Sequence, residues 1–385
     1  RAVVEVGRQV CAGLTYAHRE LGLVTLKGAP GAVVEGTGRG DTVRIRAPGV
    51  TLAGLTVRGA GGNLTQMNAG IFIEKAAKGT VIRNNHIQAP AFGIWVDATP
   101  DVVIQDNRVE GDPAIRSQDR GNGIHLYAVS GARVSGNRVW HTRDGIYIDT
   151  SNGNTLEENF LHDLRYGIHY MYSHHNRVRG NHTRNTRTGY ALMQSKYLTV
   201  TDNLSERDQN YGILMNFITH STIADNRVLE VQRGRTPGVE QAGAIEGAEG
   251  KALFVYNSLY NTIRGNRFGP AEIGIHLTAG SEDNQITGNT FSQNRTQVKY
   301  VANRQQAWPG NYWSDYLGWD MDGDGRGDVP YEPNDRVDKL LWQYPSAKLL
   351  LNSPAVLTLR WVQREFPVLR PAGVQDPTPL MEPPL

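Results

Sequence analysis

The sequence of 385 residues has a single cysteine, Cys11, and lacks long apolar runs. One cysteine excludes an intrachain disulfide and a zinc site built from several thiolates. No apolar run approaches the ~18 residues of a membrane-spanning helix, so none is predicted. Basic residues (40) and acidic residues (38) nearly cancel, and this balance argues against nucleic acid as a partner.

Aromatic residues make up only 8% of the sequence, whereas glycine is abundant and asparagine recurs at a nearly fixed spacing. Most of the recurring asparagines are 22 or 23 residues apart, and two intervals are longer. They are Asn85, Asn107, Asn137, Asn159, Asn181, Asn203, Asn226, Asn266, Asn289 and Asn311. A phrase of glycine, an apolar residue, any residue and a second apolar residue keeps the same spacing. It begins at Gly70, Gly93, Gly123, Gly145, Gly167, Gly189, Gly212 and Gly274.

This repeat is too short to bury its own apolar side chains, but stacked copies of it can. The sequence therefore predicts an all-β fold, a right-handed parallel β-helix with about ten coils of about 22 residues each. The first and third residues after each glycine should form two buried columns, with Ile146 above Ile168 in the first. The second residue should face outward. Asparagines at equivalent turns should hydrogen-bond to one another along the rod.

The repeat divides the chain into three parts. Residues 1–30 do not follow the pattern, residues 31–315 should form the β-helix, and residues 316–385 should form a separate C-terminal region. The spacing lengthens around residues 110–119 and 231–250. Glycine, proline and charged residues there indicate surface loops, which are suitable places for partner contacts.

The C-terminal region begins with an acidic, glycine-rich loop. Asp320, Asp322, Asp324 and Asp328 occupy alternate or nearly alternate positions that match most of a calcium-binding loop, with Gly325 at the sharp turn. The match is incomplete, because the bidentate glutamate expected at the end is replaced. A hard cation such as calcium and a cation-free turn closed by hydrogen bonds are both open interpretations. Either would help to cap the open end of the rod.

A short helix is predicted from Pro354 to about Glu365, with Ser353 as its N-cap. Apolar residues surround much of this helix, so they either pack on the chain's own end or contact a partner. The residues expected to dock on a partner are Trp342, Val356, Leu359, Trp361 and Phe366. The proline-rich tail beyond Phe366 should be extended or disordered until it is bound.

Methionine and histidine come together in the middle of the predicted rod. Met171 and Met193 are one repeat apart and should lie on adjacent coils, while His169 shares a strand and a face with Met171. His174 and His175 follow in the next turn. Thioether and imidazole groups favour copper, especially Cu(I), so these five residues are predicted to form a copper site. In the alternative interpretation, the methionines only pack together and the histidines are hydrogen-bonded surface residues.

Enzymes with a β-helix fold must also be considered. A lyase or epimerase acting on carbohydrate needs a groove with an acid–base pair, often beside a bound cation. Asp97, Asp144, Asp149, Arg143 and Lys196 could lie on outer faces, but they form no such motif. We therefore predict no catalytic residues and favour a binding scaffold. A carbohydrate-active enzyme and a metal-free structural rod remain the alternatives.

Signatures near the end of the repeat and beyond it resemble the NosD family, and the resemblance covers roughly residues 31 to 385. These signatures are NYWSDY at 311–316, the loop 320–328, VPY at 329–331, Trp342, SPA at 353–355, FPV at 366–368 and GVQDP at 373–377. The coil pattern alone is shared by many carbohydrate-active β-helices, so the C-terminal signatures are the more specific part of the match.

The resemblance implies a periplasmic scaffold for the maturation of nitrous oxide reductase. In such proteins, an ABC transporter made of a permease and an ATPase is the membrane partner, and attachment to the inner membrane is peripheral, through the permease. The resemblance also implies that copper, as Cu(I), arrives from a lipoprotein chaperone and passes to apo nitrous oxide reductase. It does not assign the copper ligands.

Overall fold

Three parallel sheets form the body of the protein in a computed structural model. The residues described are 24–234, 249–278, 280–300, 302, 304–344, 350, 353–366 and 372–384. Within each sheet, every strand pairs in parallel with the equivalent strands of the coils before and after it. The prediction of a parallel β-helix is confirmed. With 11, 12 and 11 strands in its three sheets, the rod has about 12 coils, more than the ten or so expected.

The strands are short because each coil crosses all three sheets within about 22 residues. Sheet A contains Thr25–Lys27, Thr51–Ala53, Val81–Arg83, Val103–Gln105, Arg133–Ser135, Thr155–Glu157, Arg177–Arg179, Thr199–Thr201, Thr222–Ala224, Thr262–Arg264 and Gln285–Thr287. Sheet B contains Val33–Glu35, Thr56–Arg58, His86–Gln88, Arg108–Glu110, Arg138–Trp140, Phe160–His162, His182–Arg184, Leu204–Glu206, Arg227–Leu229, Arg267–Phe268, Thr290–Phe291 and Tyr312–Trp313. Sheet C contains Val43–Ile45, Ala69–Ile73, Phe92–Asp97, Ile124–Tyr127, Asp144–Asp149, Tyr166–Met171, Thr188–Met193, Tyr211–Asn216, Lys251–Tyr256, Ala271–Leu277 and Asn294–Tyr300.

The core is a set of apolar columns that run along the rod. Ile146 is the register partner of Ile168, and both are fully buried, as are the other isoleucines of that column. The second predicted column, which includes Ile148 and Leu192, is fully buried as well. Three described coils of sheet C depart from the glycine phrase, since Thr42, Ala252 and Gln297 stand where the other coils have glycine.

A ladder of buried asparagines stabilises one corner of the rod from Asn85 to Asn311. Asn159 is typical, because its backbone N–H and its Nδ2 both donate to Oδ1 of Asn181, at 3.1 and 2.8 Å. The same Nδ2 also donates to the carbonyl oxygen of Val134 at 2.9 Å. Each amide therefore satisfies backbone groups that the tight turn leaves without sheet partners. The predicted asparagine stacking is confirmed.

The long loops all leave the rod at the same corner, between a strand of sheet B and the next strand of sheet C. The first follows Thr56–Arg58 and the second follows Arg108–Glu110, where it contains the 3₁₀ turn Ser117–Asp119. The third follows Arg227–Leu229, and its residues 235–248 lie outside the described part. The two insertions recognised in the sequence thus begin at the same edge of the rod.

Two helices cover the C-terminal end. Helix α1 is Arg336–Gln343, with a capping box between Asp335 and Asp338, and sequence analysis missed it. Helix α2 is Pro354–Glu365, and Ser353 caps it as predicted. Neither helix, nor any other in the described residues, is long and apolar enough to cross a membrane.

The tail differs from its expectation, because residues 372–384 dock on the chain's own rod. Val374–Gln375 pairs with Gln306–Ala307, and Asp376 is fully buried. The Asp376 carboxylate accepts hydrogen bonds from the backbone N–H groups of Gly310 and Asn311 and from Trp313 Nε1, at 2.9–3.0 Å. It takes the place that the next asparagine would occupy, so it ends the ladder. The β-helix also begins earlier than expected, at Thr25–Lys27.

Candidate functional site

Met171 and Met193 are direct neighbours on adjacent coils. They are register partners at the ends of the sheet C strands Tyr166–Met171 and Thr188–Met193, and both side chains are half-buried. Equivalent residues on adjacent parallel strands lie about 4.8 Å apart, so the two thioethers are within reach of a single ion. The sequence-based prediction that these methionines stack is confirmed. Their role as ligands remains a prediction.

His169 lies two residues before Met171 and on the same face of sheet C. It is buried, with 6% of its surface exposed, beneath the rings of Tyr147 and Tyr166 at centroid distances of 4.5 and 5.0 Å. Its Nδ1 lies 2.9 Å from Oδ2 of Asp144. Its Nε2 is buried and has no hydrogen-bond partner among the described residues.

Asp144 was expected on an outer face but is fully buried. Arg165 binds it through two hydrogen bonds, Nε to Oδ1 at 2.8 Å and Nη2 to Oδ2 at 2.6 Å. Burial alone would raise the pKa of Asp144, but the hydrogen bonds from His169 and Arg165 outweigh it and hold the pKa below its ordinary value. His169 belongs to the outward-facing column, so Asp144 is buried by the side chains that bind it and not by facing the apolar core.

His174 and His175 do not join this cluster. Nδ1 of His174 accepts a hydrogen bond from the backbone N–H of Lys196 at 3.1 Å, so the proton of the neutral ring is on Nε2. The ring of His175 is exposed and stacks on Tyr197 at 4.7 Å. Across the described ranges, the only group of three or more histidine, cysteine or acidic ligands close enough to share an ion lies elsewhere, in the acidic loop.

The outward-facing column that contains His169 is largely covered by its own members. His125, one of them, is buried, and burial lowers its pKa to about 3. Tyr147 lies between the two histidines, 4.7 Å from the ring of His125, and burial raises its pKa to about 12. Nε2 of His125 is also buried without a partner in the described part of the chain. The face is thus aromatic and weakly solvated, and His125 stays neutral.

In the acidic loop, Asp320, Asp322 and Asp324 lie close together. Each offers a carboxylate oxygen, and these oxygens are within 4.8 Å of one another. Asp328 is directed elsewhere, since its Oδ2 accepts the backbone N–H of Met321 at 2.7 Å. Backbone hydrogen bonding, above all from Gly325, lowers the pKa of Asp320. Three of the four predicted ligands are therefore gathered, and cation binding remains a prediction.

The predicted docking residues lie on the two C-terminal helices or directly after them. Leu359, Trp361 and Phe366 expose 42–55% of their surfaces, while Val356 and Trp342 are half-buried. Helix α2 is fastened to helix α1 by Arg360, which binds the carboxylates of Asp335 and Asp338 at 2.7 and 2.8 Å. Because this ionic contact holds the inner side of α2, the exposed apolar residues stay on the surface.

Comparison with solved structures identifies the fold. The chain superposes on the Dettilon tailspike protein with a TM-score of 0.55 and 14% identity, over 78% of this chain and 66% of that one. It also superposes on a DFA-IIIase from Arthrobacter chlorophenolicus, with a TM-score of 0.53, 12% identity and coverage of 75% and 83%. At such low identity, these likenesses concern the β-helix fold alone.

Comparison with known sequences is much closer. Residues 105–318 match the model of the family described as periplasmic copper-binding protein (NosD). Two relatives carry the name "Probable ABC transporter binding protein NosD". The protein of Pseudomonas aeruginosa is 60% identical over 92% of this chain and 83% of its own length. The protein of Stutzerimonas stutzeri is 58% identical over 93% of this chain and 82% of its own length. The chain belongs to the NosD family of periplasmic copper-binding proteins.

Proposed function

We propose that the protein is a scaffold that passes Cu(I) to apo nitrous oxide reductase in partnership with an ABC transporter. The family description supports copper and the periplasm, and the names of the relatives support association with an ABC transporter. The lipoprotein chaperone that supplies copper and the reductase that receives it come from the family resemblance. Copper is the cargo in this scheme, so the site must release the ion as well as bind it.

The observation that carries the copper proposal is the pairing of Met171 with Met193, on the same face as His169, whose Nε2 has no partner among the described residues. Two thioethers and one imidazole are soft and intermediate donors, a set that suits Cu(I) and disfavours calcium or magnesium. His174 and His175 were proposed as further ligands from the sequence. Their present hydrogen bond and ring stacking make them secondary candidates, which would need to reorient before binding.

Membrane attachment is proposed through helix α2 and the permease. Trp361 and Leu357 are four residues apart and expose 52% and 55% of their surfaces, so they form one ridge on the helix. Aromatic residues on an exposed ridge are common anchors in protein interfaces. Replacing both with serine should abolish co-sedimentation with vesicles that contain the permease and ATPase. The exposed Tyr127→Ser on the rod is the control, and unchanged co-sedimentation of the helix variant would reject this docking surface.

A binding role agrees better with the site than catalysis does. The buried carboxylate of Asp144 is neutralised by Arg165 and is already shared with His169, so it has no free oxygen facing solvent as a general base would need. The proposed calcium ion in the loop 320–328 would be structural. Its removal by a chelator should lower the melting temperature without changing copper affinity.

The copper proposal is tested by anaerobic competition with a chromophoric Cu(I) chelator. The double variant Met171→Leu/Met193→Leu keeps the apolar volume but removes both sulfurs, and we expect a loss of affinity of at least about tenfold, or ~1.4 kcal/mol. Met321→Leu, at an exposed methionine in the acidic loop, is the matched control. Equal affinities of the wild type and the double variant would reject the site.

A further inference from the structure

Within the proposed copper site, the atoms around His169 are arranged as in metal-bound histidines. Nδ1 faces the carboxylate of Asp144 at 2.9 Å, and the opposite nitrogen, Nε2, is buried without a partner among the described residues. Histidines that bind metals usually donate their second ring N–H to a carboxylate, which fixes both the tautomer and the ring orientation. A buried imidazole nitrogen with no partner carries a cost unless a ligand satisfies it.

We propose that Asp144 and Arg165 are positioning residues that make Nε2 of His169 the copper-binding atom. The proposal rests on the proposed function, because it assumes that Cu(I) binds beside Met171 and Met193. Arg165 binds both oxygens of Asp144 at 2.8 and 2.6 Å, which keeps the carboxylate ionised. An ionised carboxylate can only accept hydrogen bonds, so the ring must donate from Nδ1. The neutral ring then has its lone pair on Nε2.

Other histidines near the site lack this constraint. His125 faces the amide of Asn122 at 3.1 Å, and an amide can either donate or accept, so either tautomer is compatible with that contact. His174 accepts a backbone N–H at Nδ1, which places the proton on the nitrogen that a metal would need. Of these three rings, only His169 has a charged partner that fixes the proton on Nδ1 and leaves the lone pair of Nε2 free for a metal.

The surroundings of His169 also define how copper would enter. Its ring is covered by Tyr147 and Tyr166, and the equivalent position on the next coil is the small residue Ala191. The half-buried methionines lie at the C-terminal ends of their strands, Tyr166–Met171 and Thr188–Met193. Their unbranched side chains adopt many rotamers at low cost. Because Nε2 is buried, copper held by the two thioethers would reach it only if these side chains move.

The test combines the tautomer of His169 with Cu(I) affinity. Long-range ¹H–¹⁵N spectra of protein labelled in histidine, assigned with His169→Asn, report which ring nitrogen is protonated. In the wild type we expect a proton on Nδ1, and Cu(I) should shift the Nε2 resonance. Asp144→Asn should mix the tautomers and weaken Cu(I) binding by about 10- to 100-fold. Asp97→Asn, in the outer column of the same sheet, is the control and should leave the affinity unchanged.

The outcomes separate this inference from the proposed function. A proton on Nε2 in the wild type, or an Nε2 resonance that Cu(I) does not move, overturns the inference even if Asp144→Asn fails to fold. If Met171→Leu/Met193→Leu loses binding while His169 and Asp144 variants retain it, the copper function stands and the positioning role fails. If the wild type binds no Cu(I), both are wrong.

Discussion

The fully buried carboxyl group of Asp208 should make this rod lose stability as pH rises from about 4 to about 6. Thr183 Oγ1 and Ser205 Oγ donate to its Oδ2, each at 2.7 Å, while the backbone N–H and hydroxyl of Thr186 donate to Oδ1, both at 2.8 Å. These donors are all uncharged. Burial therefore outweighs the hydrogen bonds and raises the pKa of Asp208 from 3.8 to about 6.

The sign and size of the effect follow from proton linkage. Between these two pKa values, the folded state binds more protons than the unfolded state, so the free energy of unfolding falls as pH rises. A shift of about 2 units corresponds to about 3 kcal/mol at neutral pH. This loss is absent below the unfolded pKa and complete above the folded pKa.

Asp208→Asn should remove this dependence while keeping the contacts. The amide oxygen can accept from Thr186 as the carboxylate does, and the NH₂ group can donate to the hydroxyls of Thr183 and Ser205, since hydroxyls also accept. The variant should be more stable than the wild type at pH 7 by about 2–3 kcal/mol, and the difference should shrink towards pH 4.

Calorimetric melting temperatures of both proteins from pH 4 to pH 7 provide the assay, because subtracting the curves cancels the other titrating groups. Asp202→Asn is a matched control at an exposed carboxylate, where a surface ion pair with Arg179 contributes ~0–1 kcal/mol. Parallel curves for Asp208→Asn and the wild type would show that Asp208 does not cause this pH dependence. So would a variant that is less stable at pH 7 than at pH 4, relative to the wild type.

Three further predictions concern other buried polar groups. Asn159→Ala should lower the free energy of unfolding by about 3 kcal/mol or more, because it leaves several ladder groups unsatisfied; a change in chemical denaturation below ~1 kcal/mol would contradict this. Asp376→Ala should release the tail from the end of the rod. Limited proteolysis would then show earlier C-terminal cleavage, and the fluorescence of Trp313 would shift to the red. An unchanged digestion pattern would contradict a stabilising role of Asp376. Burial lowers the pKa of His125 to about 3 from 6.5, so stability due to its neutral form is lost as pH falls below about 6.5. Between pH 7 and pH 5, the free energy of unfolding of His125→Gln should therefore fall by about 2 kcal/mol less than that of the wild type. Equal decreases in thermal melts would contradict the lowered pKa of His125.

Sequence periodicity was enough to predict the rod and its neighbours one coil apart. The register of Ile146 with Ile168 and of Met171 with Met193 follows from spacing alone, because a β-helix converts chain distance into vertical contact. The same logic missed the coil at Lys251–Tyr256, where alanine replaces glycine and a long loop interrupts the spacing. A pattern built on one residue type fails where another small residue occupies the same position in the strand.

Contacts between distant segments could not be read from the repeat. Asp376 ends the asparagine ladder 65 residues after Asn311, and nothing in the local pattern of a proline-rich tail indicates such a contact. Helix α1 is too short to show a long helical repeat of apolar residues, and the capping box is its main indication in the sequence. Asp144 illustrates a different failure, since its charge suggested an exposed position, whereas Arg165 and His169 of the next coil bind and bury it.

The state of each histidine also required coordinates. Sequence spacing grouped His169, His174 and His175 because they are close along the chain. Their hydrogen bonds differ. Nδ1 of His169 bonds to Asp144, which leaves its Nε2 available to a ligand, whereas Nδ1 of His174 accepts the backbone N–H of Lys196. Tautomers depend on which group of a neighbouring coil reaches each ring nitrogen, and the spacing of the repeat does not give that geometry.

X-ray absorption spectroscopy at the copper edge of the Cu(I)-loaded protein would identify the atoms bound to copper. We expect a first shell with both sulfur and nitrogen or oxygen scatterers, in which the sulfur contribution disappears in Met171→Leu/Met193→Leu. A sulfur-free shell in the wild type would contradict it, as would a spectrum that the double substitution leaves unchanged.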